Sequence, residues 1–166
     1  MSVIYECPIF KVREEEVSLP HGRRTRLSWI DHDPCIAVVP RDPEGNFLLI
    51  RQYRHATGGT LLEIPAGKID AGETPELCVQ RELREETGFQ AGRLTKLFEG
   101  FLLPGYGSEY MHFYLAEELS AAPLPPDDDE DITVVKISAA EIEEMLAART
   151  IRDVKTALGV LLALQR

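Results

Sequence analysis

Cysteine is scarce in this chain: Cys7, Cys35 and Cys78 are the three among 166 residues. Their number is odd, they lie far apart, and no CxxC or zinc-type spacing occurs, which argues against a disulfide framework and predicts reduced, mostly buried thiols. Long apolar runs are missing too. No stretch approaches the roughly 18 apolar residues of a membrane helix. The opening MSVIYECPIFKVREEE lacks the basic start and apolar centre of a signal peptide. The expectation is a cytoplasmic protein with no membrane partner. Positive charge is in deficit: Lys and Arg number 18 against 28 Asp and Glu, for a net charge of −10. A uniformly acidic surface repels nucleic acid, so no nucleic-acid partner is expected. It still admits phosphate compounds when divalent cations mediate.

What is present reads as one domain's length of mixed α/β chain. Segment 3–30 is an N-terminal β unit, with one loosely alternating strand, a turn at Pro20-His21-Gly22 and a second strand. Short strands follow at 35–39, 47–53 and 61–64, with a turn at 42–46. A loop covers 65–73. Thr74 as N-cap and Pro75 in the first turn open a helix that stops at Gly88. Strands are expected at 94–103, 110–117 and 132–137, with an acidic loop at 121–131 before the third. Ser138 and Glu141 form a capping box for one more helix, and Asp153 opens the last. Strands, a helix, strands and two helices suggest an α+β sandwich with a mixed sheet rather than a doubly wound parallel one.

The chemistry concentrates on the first helix and the loop before it. Glu82, Glu85 and Glu86 stand at i, i+3 and i+4, within an arc of about 100°. Carboxylates so placed repel one another, and a cation resolves the repulsion. All-oxygen donors suit Mg²⁺ or Mn²⁺ better than zinc. Gly67 permits a tight turn that aims a carbonyl such as that of Ala66 at the ion. Arg81 can pair with a neighbouring carboxylate and fix its orientation. A solvated acidic helix face is the alternative, but it does not account for glycines, Glu73, Arg81 and the glutamate trio together.

That string resembles the Nudix box, G-x5-E-x7-R-E-U-x-E-E-x-G-U with U apolar, at every specified position: Gly67, Glu73, Arg81, Glu82, Leu83, Glu85, Glu86, Gly88 and Phe89. The order of strands and helices is similar to that family's α/β/α sandwich over most of the chain. The resemblance implies a metal-dependent hydrolase of nucleoside diphosphates linked to another moiety. It assigns Glu82, Glu86 and the Ala66 carbonyl to the metal, with Glu85 joining them, and gives Glu73, Arg81, Gly67 and Gly88 structural duties. It divides the chain into an N-terminal β unit, 1–33, for dimerisation and substrate, and a hydrolase domain, 34–166.

Outside the box the likeness is to the ADP-ribose pyrophosphatase subgroup, which implies a homodimer acting on a small nucleotide sugar. Pro104 and Gly105 stand 16 and 17 residues after Gly88, as in that subgroup. Arg54 would contact a substrate phosphate and Glu109 the terminal ribose. Trp29 is a candidate platform for adenine, with a core or dimer contact as the alternative. Glu130 would join the metal cluster, and Asp128 stands where the family's proposed base, usually glutamate, is found. Glu130 is favoured over Asp128 on reach. His21, His32, His55 and His112 are scattered, with no pair at ligand spacing, and are read as structural or surface residues. The runner-up substrates are GDP-mannose and other nucleoside diphosphate sugars. A non-catalytic nucleotide sensor is the other class, and it would be expected to lose part of the carboxylate set that is intact here.

Overall fold

The computed structural model describes residues 1–125 and 131–166. An antiparallel sheet comes first, from β1 (Ser2–Glu6), β2 (Phe10–Ser18) and β3 (Arg24–His32) in that order. The single strand expected before Pro20 is thus two strands. Pro8 has no N–H to give a ladder, and the Cys7 N–H closes a turn onto the Phe10 carbonyl at 3.0 Å.

Two further sheets follow, built from β4 (Cys35–Pro40), β5 (Phe47–Arg54), β6 (Gly59–Glu63), β7 (Ala66–Lys68), β8 (Phe89–Phe101), β9 (Tyr110–Ala121) and β10 (Ile132–Ile137). Their orders are β7-β4-β9-β8 and β10-β5-β6. β4 lies parallel to β9 while the other pairs are antiparallel, so the central sheet is mixed. The helices are α1 (Pro75–Thr87), α2 (Ala139–Ala147) and α3 (Val154–Ala163).

Every residue of β4 is buried, the mark of a strand covered on both faces. Its alternation sends the side chains into two cores. Cys35, Ala37 and Val39 join Phe47, Leu49, Phe113 and Leu115 with Ile142 of α2 and Val160 and Ala163 of α3. Ile36 and Val38 meet Cys78, Val79 and Leu83 of α1 with Tyr114 and Ala116. Val79 and Leu83 are fully buried, each stabilising α1 on the sheet by about 1.5–3 kcal/mol. Helices on both faces of a mixed sheet make the α/β/α sandwich that the sequence suggests.

Two boundaries shift in ways that matter for the site. Part of the expected loop 65–73 is the edge strand β7, with Ala66, Gly67 and Lys68 opposite Ala37, Ile36 and Cys35. Three residues beside a proline are too few for alternation to reveal. β8 starts at Phe89, directly after the helix stop, because Gly88 takes φ 79° and reverses the chain while its N–H bonds the Arg84 carbonyl.

Candidate active site

β7 and α1 together hold the glutamates. Thr74 caps α1 by accepting the Leu77 N–H at 3.3 Å, and the apolar face just described fixes the helix's rotation. That rotation turns Glu82 and Glu86 inward, 9% and 5% exposed. Arg81 binds the set together. Its Nε and Nη2 donate to both oxygens of Glu73, at 3.1 and 3.0 Å. Its Nη1 donates to Glu82 at 2.6 Å and to Glu85 at 3.2 Å, and Nη2 also reaches the Lys68 carbonyl at 3.0 Å. The sequence led to one partner for Arg81; the structure gives it three carboxylates and a backbone oxygen. The hydrogen bonds to Glu73 raise the guanidinium's pKa above its ordinary value, and the same bonds hold the Glu73 carboxyl below its own.

Gly67 has a different purpose from the tight turn expected of it. It sits in β7 without a positive φ, and a β-carbon there would fall 1.8 Å from Oε1 of Glu82. Glycine is required because the carboxylate lies against its backbone. Glu86 in turn accepts the Ala66 N–H at 3.2 Å. Three carboxylates therefore share one guanidinium, and Glu86 joins them from the strand side through the Ala66 N–H. All-oxygen donors and uncompensated negative charge fit a hard divalent cation.

Arg54 lies at the end of β5, and its fork donates to both oxygens of Glu63 at 2.9 and 2.8 Å. The Glu63 side chain is 2% exposed, and Lys155 of α3 donates to it as well. Burial pushes the Glu63 carboxyl upward, but the two cations outweigh it and hold it below the ordinary range. Arg54 keeps 42% of its side chain exposed and feels the charge of Glu86, so it stands beside the helix carboxylates. The sequence reading gave Glu63, Lys155 and Thr156 no part in the site and Asp153 only the opening of the last helix. Thr156 is fully buried and accepts the Ile64 N–H at 2.8 Å, tying α3 to the segment that leads into β7. Distance in sequence hid these partners.

The remaining assigned residues divide. Glu109 comes close to Cys35, whose thiol also feels Glu82, so it stands at the edge of the carboxylate cluster. Pro104 and Gly105 form an exposed turn that the Leu103 carbonyl closes by accepting the Tyr106 and Gly107 N–H groups at 3.1 and 2.8 Å. Trp29 is half-buried on β3, opposite Arg13. Asp128 and Glu130 lie outside the described residues. A cavity of about 640 Å³ opens at the far end of the β4–β9 pair, but its arginines, Arg41 and Arg93, are both already paired with Glu117 at 2.6 Å.

A sandwich of this order with glutamates clustered between helix and edge strand defines a class, and comparisons with known proteins agree. A family model described as NUDIX domain matches residues 31–157, and the chain belongs to that family. It is 34% identical over 159 residues to an ADP-ribose pyrophosphatase of Bacillus subtilis (strain 168), covering 95% of this chain and 86% of that one. It is 39% identical over 120 residues to a GDP-mannose pyrophosphatase of Escherichia coli O1:K1 / APEC, covering 67% of this chain and 62% of the relative. A crystal structure of an ADP compounds hydrolase superposes with a TM-score of 0.87 at 25% identity, over 99% of this chain and 89% of that one.

Proposed function

We propose that this NUDIX hydrolase cleaves the diphosphate of ADP-ribose, giving AMP and ribose 5-phosphate by attack of water at phosphorus, with Mg²⁺ or Mn²⁺ as the cofactor. The observation that carries the reading is the set of three carboxylates on Arg81, with Glu86 on the Ala66 N–H beside them and Glu82 resting on Gly67. Glu82, Glu85, Glu86 and the Ala66 carbonyl would hold the ion. When bound, it neutralises the diphosphate and makes a nearby water more acidic. The protein's own share is positioning. Glu73 and Arg81 keep the carboxylates from collapsing or splaying. Glu85 and Glu86 are the described carboxylates able to take the water's proton. Arg54, steadied by Glu63, faces a substrate phosphate. The 104–105 turn shapes the entrance, and Trp29 offers a ring face to the base.

A homodimer is part of the reading. Val3, Ile4, Tyr5, Ile9 and Leu27 are exposed on or beside the first sheet, an apolar surface suited to a second copy. The three free thiols accord with a reducing cytoplasm. No helix among the described residues is long and apolar enough to cross a membrane. The GDP-mannose pyrophosphatase relative favours a second reading, in which another nucleoside diphosphate sugar is preferred.

The test is a panel of ADP-ribose, ADP-glucose, GDP-mannose, NADH, diadenosine polyphosphates and nucleoside triphosphates, with Mg²⁺ or with EDTA, products separated by chromatography. AMP and ribose 5-phosphate should form from ADP-ribose with Mg²⁺ alone, and Glu82→Gln and Glu86→Gln should each slow turnover at least about 100-fold. Preference for GDP-mannose would move the reading to its second form, and no cleavage of any compound would sink it.

A further inference from the structure

Beside the α1 carboxylates, a second group of donors comes together that no pattern of spacing in the chain announces. His32 ends β3, Cys35 begins β4 and Glu109 immediately precedes β9. One ligand atom from each lies within 4.8 Å of the other two, and Cys35 Sγ stands 3.8 Å from His32 Nδ1. A tetrahedral zinc with Zn–S near 2.3 Å and Zn–N near 2.0 Å would set sulfur and nitrogen about 3.5 Å apart. The observed separation closes to that with a small side-chain rotation.

The three segments are held in place by the backbone. The Ile30 N–H donates to the Tyr106 carbonyl at 2.8 Å, and the Ser108 N–H returns to the Ile30 carbonyl at 2.9 Å. The His32 N–H donates to Ser108 Oγ at 3.0 Å, and the Leu102 N–H donates to the Glu109 carbonyl at 3.1 Å. Cys35 pairs with Met111 in the parallel ladder, two residues beyond Glu109. His32 Nδ1 lies 2.7 Å from the Asp33 carbonyl, a hydrogen bond that Nδ1 gives up when it turns its lone pair to an ion. Sites that are formed before the ion arrives need little ordering on binding.

We propose that His32, Cys35 and Glu109 form a second cation site, separate in chemistry from the carboxylates of α1, which takes zinc or a similar borderline ion with its fourth position left to water. The donor types decide the ion. Thiolate and imidazole select zinc over magnesium, whereas the all-oxygen set on α1 favours the harder ion. Binding replaces the thiol proton: an S–Zn bond forms, one proton leaves to solvent, imidazole and carboxylate each give a lone pair, and the ring proton moves to Nε2. Burial, with the charge of Glu109, pushes the Cys35 thiol up to about 12, so without the ion it is a poor nucleophile.

The experiment is a Co²⁺ titration of the full chain in excess Mg²⁺, following the thiolate-to-cobalt charge-transfer band in the near ultraviolet, then displacement by Zn²⁺. One equivalent should produce the band, and Zn²⁺ should abolish it. Cys35→Ser should remove it, while Cys78→Ala, Cys7→Ala and Glu86→Gln should keep it. His32→Gln and Glu109→Gln, at less buried positions, should each weaken binding at least about 10-fold. The proposal is overturned by no band in the wild type, by a band that survives Cys35→Ser, or by loss in Cys78→Ala. It is equally overturned by wild-type affinity in either less buried variant, or by loss in Glu86→Gln, which would place the ion on α1. None of these results depends on substrate cleavage, so this site and the hydrolase reading can fail separately.

Discussion

Oε1 of Glu82 lies 1.8 Å from where a β-carbon at Gly67 would be, so the carboxylate and the strand backbone occupy adjoining space that no other residue leaves open. Gly67→Ala should therefore push Glu82 out of the cluster or lift β7 from β4. Turnover should fall about 10–100-fold, and more Mg²⁺ should be needed for half-maximal rate. Activity measured across a Mg²⁺ series, with a melting curve as control for folding, checks this. Wild-type Mg²⁺ dependence in a folded Gly67→Ala would mean that the position of Glu82 is immaterial.

Arg81 tests whether geometry or charge organises the glutamates. Lysine keeps the charge but cannot fork to both oxygens of Glu73 while also reaching Glu82, Glu85 and the Lys68 carbonyl. Arg81→Lys should slow turnover about 10–100-fold with a smaller change in KM. Steady-state kinetics at saturating Mg²⁺ gives the split. A Lys variant with native turnover would show that any nearby cation suffices.

Much of this was readable in the chain itself, and the misses share a cause. The caps at Thr74 and Gly88 carried the helix, and the spacing of Glu82, Glu85 and Glu86 carried their grouping, since helical periodicity converts spacing directly into a shared face. The apolar run at 35–39 announced a short strand, which the structure extends to Pro40 and buries whole. Contacts across large sequence separations left no such trace. Glu63 meets Lys155 and Thr156 meets Ile64 only because α3 crosses the sheet. Glu109 meets Cys35 and its near neighbour His32 only because β4 and β9 run side by side. Gly67 was noticed for the wrong reason, as a turn residue, because a close approach by another segment's carboxylate is invisible without the fold.

The Arg54–Glu63–Lys155 group predicts an acid dependence whose sign is fixed. The folded Glu63 carboxyl titrates below its ordinary 4.5, and Glu73 does the same. Each thus contributes stability that is fully present above the unfolded value and lost as pH falls through the lower folded value. The melting temperature should hold from neutrality down to about pH 5 and then drop. Glu63→Gln should begin lower at neutral pH by about 1–3 kcal/mol, because Arg54 and Lys155 lose their charged acceptor, and should decline less in acid. Parallel acid profiles for the two proteins would remove Glu63 from the account.

Thr156 offers the cleanest check that α3 braces the approach to β7. Its hydroxyl accepts the Ile64 N–H at 2.8 Å and donates to Asp153 at 2.6 Å, and neither Thr156 nor Ile64 is exposed. Thr156→Val keeps the shape and removes both bonds, leaving a buried N–H without an acceptor, which costs about 1–3 kcal/mol. In a chain of this length that is a fall of roughly 2–12 °C in melting temperature. Ile64 stands two residues before Ala66, whose N–H bonds Glu86, so loosening the strand should also raise the Mg²⁺ needed for half-maximal rate. Thr156→Ser, which keeps the hydroxyl and loses only a methyl, should restore that Mg²⁺ requirement while recovering only part of the stability. If Val and Ser variants shift the Mg²⁺ requirement equally, the hydroxyl has no part in placing Glu86 and Thr156 is simply core.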